Sequence, residues 1–111
     1  MTDPFVHVLD EDALPVGTMK TVKVDGTSIL LANVEGEMLA IGAICTHASQ
    51  DLARGDLDDD TVVCPLHFSS FSLRTGEALD GPARRPEPVF RVKRLNGQVL
   101  VDPTPLRAEE L

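Results

Sequence analysis

The chain has 111 residues, of which 42% are apolar and 25% are charged, values that are ordinary for one globular domain. Its 10 basic and 18 acidic side chains give a formal net charge of −8, which argues against nucleic-acid binding because phosphates would repel such a surface. No apolar run approaches the roughly 20 residues that a membrane span needs, and residues 1–4 show no secretory signal. We therefore expect a soluble, cytoplasmic protein without a membrane anchor.

The N-terminal part of the chain alternates between short apolar runs and tight-turn dipeptides. Candidate strands cover residues 5–8, 21–24, 28–32 and 38–41, and a short helical turn is expected at 10–14. The dipeptides Asp25-Gly26 and Glu35-Gly36 separate consecutive apolar runs. Dipeptides of this kind take the positive φ that a type I′ turn needs, so we predict a hairpin at each of them.

The middle of the chain is richer in turn-forming residues. We interpret residues 44–81 as a smaller lobe inserted between the two parts of a base, residues 5–43 and 82–102. Within this lobe, residues 61–63 are a candidate strand. The acidic run at 56–60 lacks the spacing of an EF-hand and is predicted to be a solvated turn.

The C-terminal part returns to the strand pattern. Candidate strands at 89–93 and 99–101 flank the dipeptide Asn96-Gly97, which marks a third hairpin. Residues 103–111 are predicted to be a tail with one helical turn. Short strands separated by frequent turns predict a single all-β domain whose base is an antiparallel sandwich or barrel.

Both cysteines of the chain, and two of its three histidines, lie in two short pairs. Cys45 and His47 form the first pair, and Cys64 and His67 form the second after 16 intervening residues. A thiolate and an imidazole so close together suit a loop that binds a metal. Two cysteines and two histidines are the ligands of a Rieske-type 2Fe–2S cluster or of a tetrahedral structural zinc. The alternative, two structural cysteines and two surface histidines, would require four independent coincidences.

The order of the residues within each pair separates the two metal sites. Zinc fingers usually pair cysteine with cysteine and histidine with histidine. In a Rieske centre one iron takes both cysteines and the other takes both histidines, so each loop gives one ligand to each iron. The order found here, cysteine before histidine in both pairs, favours the iron–sulfur cluster.

The chain resembles the Rieske-type ferredoxins that supply electrons to ring-hydroxylating oxygenases. Besides the two pairs, the resemblance rests on Gly55-x-Leu57, Pro65, Phe71, Thr75-Gly76 and Pro82-Ala83-Arg84-Arg85-Pro86, and it covers residues 5–102. It implies a Rieske-like fold in which a cluster-binding lobe is inserted into the antiparallel base. It also implies that Cys45 and Cys64 bind one iron of a single 2Fe–2S cluster. His47 and His67 would bind the other iron.

The resemblance also indicates how the potential of the cluster would be set. High-potential Rieske proteins have a disulfide between the loops, but Gln50 and Leu66 occupy those positions here. They also place hydroxyls from a serine and a tyrosine near the sulfur atoms, where this chain has Ser69 and Phe71. We therefore expect a low to intermediate potential. Ser69 has an alternative interpretation as a surface serine in a turn.

A third loop is expected over the cluster at residues 82–88, where prolines restrict the backbone without needing hydrogen-bond donors. Its alternative is an ordinary connection between strands. Arg84 and Arg85 within it would bind a carboxylate of a partner or form a solvated pair.

These residues predict an electron carrier without catalytic residues of its own. By the resemblance, it would take single electrons from a flavin-containing, NAD(P)H-dependent reductase and pass them to a terminal Rieske oxygenase, acting as a monomer with transient partners. One alternative is the small subunit of an assimilatory nitrite reductase. Another is a zinc-stabilised interaction module.

Overall fold

The computed structural model describes residues 3–46, 49–66, 68–81, 83 and 85–110. Its strands, in chain order, are β1 (Val6–Asp10), β2 (Met19–Val24), β3 (Thr27–Val34), β4 (Glu37–Gly42), β5 (Asp56–Asp58), β6 (Thr61–Val63), β7 (Ser70–Ser72), β8 (Ala78–Asp80), β9 (Val89–Phe90), β10 (Val92–Leu95) and β11 (Gln98–Val101). Three 3₁₀ turns cover Glu11–Ala13, Leu52–Arg54 and Ala108–Glu110. Those at 11–13 and 108–110 confirm the predicted helical turns. None of the helices in this described part of the chain is long and apolar enough to cross a membrane.

The strands form three antiparallel sheets, with the orders β1-β11-β10, β2-β3-β4-β9 and β5-β6-β7-β8. The prediction of an all-β, antiparallel fold is therefore confirmed. The third sheet is built entirely from residues 56–80, whereas the strands before and after it form the other two sheets.

All three predicted hairpins are present, and their turns have the expected backbone. Asp25, Glu35 and Asn96 have φ of 50°, 54° and 53°, and each is followed by a glycine with positive φ. Two consecutive residues with positive φ define a type I′ turn, whose twist matches that of the flanking strands. The turn residues thus fix the register of β2 with β3, β3 with β4, and β10 with β11.

The predicted strand at 89–93 is wrong as a single element, because the chain changes sheets within it. Val89 and Phe90 pair with β4, whereas the residues from Val92 onward pair with β11. Arg91 lies between them, and its carbonyl accepts a hydrogen bond from the N–H of Asp102 at 3.0 Å. Strands that switch sheets at a bend are a common way to form the corner of a sandwich.

The acidic run also differs from the prediction of a solvated turn. Asp56, Leu57 and Asp58 form β5, and only Asp59 and Asp60 form the turn that follows, with Asp59 at φ 52°. The two strand aspartates are exposed, whereas the leucine between them packs against the core. This alternation is that of a strand with one solvated face.

The interior consists of two hydrophobic cores on opposite sides of β3 and β4. Leu30 and Ile41 belong to one core, together with Val62 and Phe71 from the third sheet. The other core consists of Leu9, Leu14, Val24, Ile29, Leu31, Met38, Ala40, Phe90, Val99 and Val101. Consecutive residues of β3 thus face opposite cores, which explains why this strand is apolar without alternation.

Candidate metal centre

The two cysteines come together as buried, unbonded thiols. Cys45 and Cys64 are 2% and 0% exposed, and neither forms a disulfide. Burial raises the pKa of the Cys64 thiol, and the adjacent Cys45 thiol and the Glu87 carboxyl raise it further, while the backbone N–H of Leu66 opposes this. Two adjacent thiols in a hydrophobic core can lose their protons only if a cation compensates the negative charge. They therefore suit a pair of sulfur ligands for a metal.

The first cysteine loop is attached to the base by its own backbone and by Asp51. The N–H of Cys45 donates to the carbonyl of Gln50 at 2.8 Å, and the N–H of Ser49 donates to the carbonyl of Cys45 at 3.1 Å. The Asp51 carboxylate accepts from the hydroxyl of Thr21 on β2 at 2.7 Å and from the N–H of Ala53 at 3.0 Å. The loop is therefore fixed where it leaves Cys45 and where it rejoins the base.

The second cysteine loop begins directly after β6. The N–H of Cys64 donates to the carbonyl of Ser69 at 2.7 Å, which closes the loop between these two residues. Gly55 lies beneath it, where a Cβ atom would be 1.8 Å from the carbonyl oxygen of Val63. Only glycine therefore fits at position 55, in the Gly55-x-Leu57 motif identified in the sequence.

Within the predicted third loop, the described residues 83 and 85–88 include two that are hydrogen-bonded to the cysteine loops, one to each loop. The N–H of Ala83 donates to the Ser69 hydroxyl oxygen at 3.0 Å, and the Thr46 hydroxyl donates to the carbonyl of Arg85 at 2.8 Å. Pro82 and Arg84 lie outside the described residues. The Arg85 side chain is exposed and forms no ion pair within the described part of the chain, so its binding to a partner stays a prediction.

The two predicted histidine ligands, His47 and His67, lie outside the described residues. Among the residues that are described, no three histidine, cysteine or acidic side chains come together as a metal site. The structure therefore brings together the two predicted sulfur ligands, and the assignment of the histidines remains a prediction from their spacing.

Comparison with known proteins identifies the domain. Residues 5–99 match the family described as the Rieske [2Fe-2S] domain. The chain belongs to this family. It is 35% identical over 101 residues to the ferredoxin component of the naphthalene 1,2-dioxygenase/salicylate 5-hydroxylase systems of Ralstonia sp, covering 91% of this chain and 97% of that protein. It is 39% identical over 100 residues to the 3-phenylpropionate/cinnamic acid dioxygenase ferredoxin subunit of Escherichia coli (strain K12), covering 89% of this chain and 88% of the relative.

Solved structures of Rieske ferredoxins have the same fold. The ferredoxin of carbazole 1,9a-dioxygenase from Nocardioides aromaticivorans IC177 superposes with a TM-score of 0.86 and 28% identity, covering 90% of this chain and 98% of that one. A chain from a complex of reduced oxygenase and oxidized ferredoxin in carbazole 1,9a-dioxygenase gives a TM-score of 0.89 and 27% identity, covering 96% and 99%. The predicted Rieske-like fold is therefore confirmed.

The cofactor of a Rieske domain is one 2Fe–2S cluster, and the residues present fit its sulfur-bound iron. The two predicted ligands that the structure describes are free thiols, and they converge from separate loops, as the sulfur-bound iron of a Rieske centre requires.

The interpretation of Ser69 as a surface serine is wrong. Ser69 is completely buried, and it connects the second cysteine loop to the third loop through its carbonyl and its hydroxyl oxygen. Phe71 is also completely buried, in the core that contains both cysteines. This chain therefore has a buried serine hydroxyl, as expected for a high-potential Rieske protein. The apolar ring of Phe71 stands where those proteins would place the hydroxyl of a tyrosine.

An exposed group of large apolar side chains, which the sequence analysis did not single out, lies on the two cysteine loops. Ile44, Leu66 and Phe68 are 43%, 45% and 72% exposed. Phe68 also has φ of 56°, a left-handed backbone that is costly for a bulky residue. In the sequence, their positions next to the predicted ligands could have indicated that they lie at the surface of the site. We call these three residues the apolar tip.

Glu87 is a buried acid beside the cysteines that sequence reasoning also missed. It is 5% exposed, and burial raises its pKa to about 7, an effect that the nearby backbone N–H of Thr46 partly offsets. Its Oε2 has no hydrogen-bond partner within the described part of the chain. Such a group costs about 1–3 kcal/mol of stability. Nothing in an acidic sequence marks one glutamate as buried.

Replacing Ser69 with alanine should destabilise the protein by about 1–3 kcal/mol, because the buried N–H of Ala83 would lose its acceptor. The measurement is the free energy of unfolding in denaturant. Ser28→Ala is the matched control, since the Ser28 hydroxyl has no hydrogen bond to the described residues and the change should be nearly neutral. Equal losses in the two variants would contradict a specific role for the Ser69 hydroxyl.

Proposed function

We propose that this Rieske protein is a one-electron carrier, the ferredoxin component of a ring-hydroxylating oxygenase system. The observation that carries the proposal is the convergence of two buried, free thiols in a domain whose relatives are ferredoxin components of dioxygenase systems. Those relatives are matched over nearly their whole length, so the similarity extends to the entire carrier.

The proposed ligands are Cys45 and Cys64 for one iron, and His47 and His67 for the other. The adjacency of the two thiols supports the first assignment, and the order of residues in each pair supports the second. When bound, the cluster supplies a one-electron couple at a potential above that of an all-cysteine cluster. The chain itself buries the sulfur ligands, fixes both loops and excludes water from the sulfur side.

The proposed acceptor is a terminal Rieske oxygenase, and the proposed donor is a flavin-containing NAD(P)H reductase. The solved complex of oxygenase and ferredoxin in carbazole 1,9a-dioxygenase supports the acceptor. The donor rests on the resemblance alone. Small, transient interfaces are usual for electron-transfer partners, which agrees with a small acidic protein.

The other interpretations of the sequence are less well supported. A zinc-stabilised module does not agree with membership of the Rieske family, and no relative described above is part of a nitrite reductase. The monomeric state, the cytoplasmic location and the division into a base, a cluster-binding lobe at 44–81 and a tail remain predictions.

The cofactor proposal predicts a red-brown protein with about two iron and two sulfide ions per chain. Dithionite should bleach its visible spectrum and produce an EPR signal of low average g, because nitrogen ligands hold the reducible iron. Visible and EPR spectra before and after reduction are the measurement. Metal analysis that finds zinc without sulfide would contradict the assignment.

Variants of the predicted ligands provide the matched test of the site. Cys64→Ala and His67→Asn should each abolish the EPR signal, since each removes a ligand of one iron. His7→Asn is the control, because His7 is the third histidine and lies exposed on β1. An unchanged signal in His67→Asn would show that His67 is not a ligand.

The apolar tip supports a docking role, because its exposed side chains lie on the cysteine loops of an acidic protein. Phe68→Ala should slow electron transfer to the terminal oxygenase about tenfold without changing the potential, as for removal of a buried interface aromatic. Stopped-flow oxidation of the reduced protein by the oxygenase measures this rate.

The control for Phe68 is Val16→Ala, which removes a comparably exposed side chain, 65% against 72%, from the base. It should leave the transfer rate unchanged. Equal rates for Phe68→Ala and wild type would show that the tip does not contact the oxygenase.

A further inference from the structure

The first cysteine loop is closed at its base by a short antiparallel stem. Ile44 and Asp51 face each other as an isolated bridge, and the N–H of Cys45 donates to the carbonyl of Gln50 at 2.8 Å. The two predicted ligands of this loop, at positions 45 and 47, lie between the two sides of the stem in the sequence. The orientation of the stem therefore decides where the loop presents them.

Asp51 is the residue of this stem whose side chain reaches beyond the loop. Its Oδ1 accepts a hydrogen bond from the hydroxyl of Thr21 on β2 at 2.7 Å and another from the N–H of Ala53 at 3.0 Å. The second bond caps the 3₁₀ turn at 52–54, whose first residue, Leu52, is completely buried in the core that contains both cysteines. One carboxylate oxygen thus joins a strand of the base, the stem of the loop and the turn behind it.

The register of β2 places Thr21 for this contact. Thr21 is opposite Leu30 of β3, and directly opposite residues of an antiparallel pair have their side chains on the same face of the sheet. Leu30 belongs to the core that contains the cysteines, so the Thr21 side chain is on that side as well. The 3₁₀ turn at 52–54 packs beside β2, which brings Asp51 within reach.

The strand does not need this hydroxyl for its own stability. Valine has nearly the same shape as threonine and the same β-branching, and it suits a half-buried strand position equally well. Thr27 on β3 is also half-buried, and its hydroxyl has no hydrogen-bond partner among the residues that the structure describes. The 2.7 Å bond from Thr21 is of the length expected for a hydroxyl that donates to an ionised acceptor, a bond stronger than one between neutral groups.

We propose that Thr21 is a positioning residue for the iron–sulfur cluster, which acts through Asp51 to fix the stem of the first cysteine loop. The inference rests on the proposed function, since the stem matters for this purpose only if the loop holds the cluster. A restraint on Asp51 also restrains Ile44 across the bridge, and Ile44 leads directly into Cys45. Outer residues that orient metal ligands commonly change metal affinity by about 10–100-fold when they are replaced.

The test compares Thr21→Val with Thr21→Ser in the cluster-loaded protein. Valine keeps the shape of the side chain and removes the hydroxyl, whereas serine keeps the hydroxyl and removes the methyl group. Thr27→Val and Thr27→Ser are the matched controls, because Thr27 is half-buried on the adjacent strand. The measurements are the rate of cluster loss in excess EDTA, the EPR g-values and the hydrogen–deuterium exchange of the backbone at 43–54.

We expect Thr21→Val to lose its cluster about tenfold faster than wild type, with shifted g-values and faster exchange at 43–54. Exchange within β3 and β4 should stay at the wild-type level, because the ladder between these strands is not changed. Thr21→Ser should restore all three properties, and both Thr27 variants should match wild type. If Thr21→Val fails to assemble the cluster while Thr21→Ser assembles it normally, that rescue supports the proposal.

Asp51→Ala tests whether the hydroxyl acts through the carboxylate. This variant removes the acceptor of both hydrogen bonds, so it should be at least as defective as Thr21→Val. Adding Thr21→Val to it should then cause no further loss, since the two residues act as one unit. A Thr21→Val change that speeds cluster loss equally with and without Asp51 would show that the hydroxyl acts elsewhere, and would overturn the inference.

Two further results would also overturn it. In one, Thr21→Val retains the wild-type rate of cluster loss, g-values and exchange. In the other, Thr21→Ser is as defective as Thr21→Val, which would assign the effect to the methyl group rather than to the hydroxyl. Either result with a normal Rieske spectrum in the wild-type protein leaves the proposed function intact, whereas a wild-type protein without that spectrum removes both.

Discussion

The structure depends above all on the burial of two unpaired thiols side by side. Cys45 and Cys64 lie in the same hydrophobic core as Val62 and Phe71, at the ends of loops from different sheets. Burial raises the pKa of Cys64, and a buried thiolate needs a cation to compensate its charge. The packing that joins the third sheet to β3 and β4 therefore also sets the spacing of the two predicted sulfur ligands. The fold and the proposed cofactor site share one core, so a change in either should affect the other.

The third loop is the element that joins the two cysteine loops to each other. Ala83 is hydrogen-bonded to Ser69 in the second loop, and Arg85 is hydrogen-bonded to Thr46 in the first. The prolines of this segment restrict its backbone without adding donors that would need partners. A stiff segment with a few directed hydrogen bonds can hold the loops of the predicted ligands in one geometry. Outer residues that orient metal ligands are one physical means of tuning an iron–sulfur potential.

The surface combines a negative net charge with exposed apolar side chains, and each would contribute differently to the proposed recognition of a partner. A net charge of −8 gives long-range attraction toward a basic partner, which raises association rates. The apolar tip, Ile44, Leu66 and Phe68, supplies contact area on the cysteine loops themselves. Contact at the loops would shorten the path between the cluster and the redox centre of a partner. A small apolar contact within an acidic surface is suited to a complex that forms fast and separates after one electron.

The sequence by itself determined the all-β class, the three hairpins and the pairing of cysteine with histidine, because these depend on local chemistry. Positive φ at a residue such as Asn96 and the order of ligands within each pair are local properties. Only the tertiary structure decided that the chain changes sheets at Arg91, and that Ser69 and Glu87 are buried. Those features arise from contacts between residues distant in the chain, and no local pattern distinguishes a buried glutamate or serine from a solvated one.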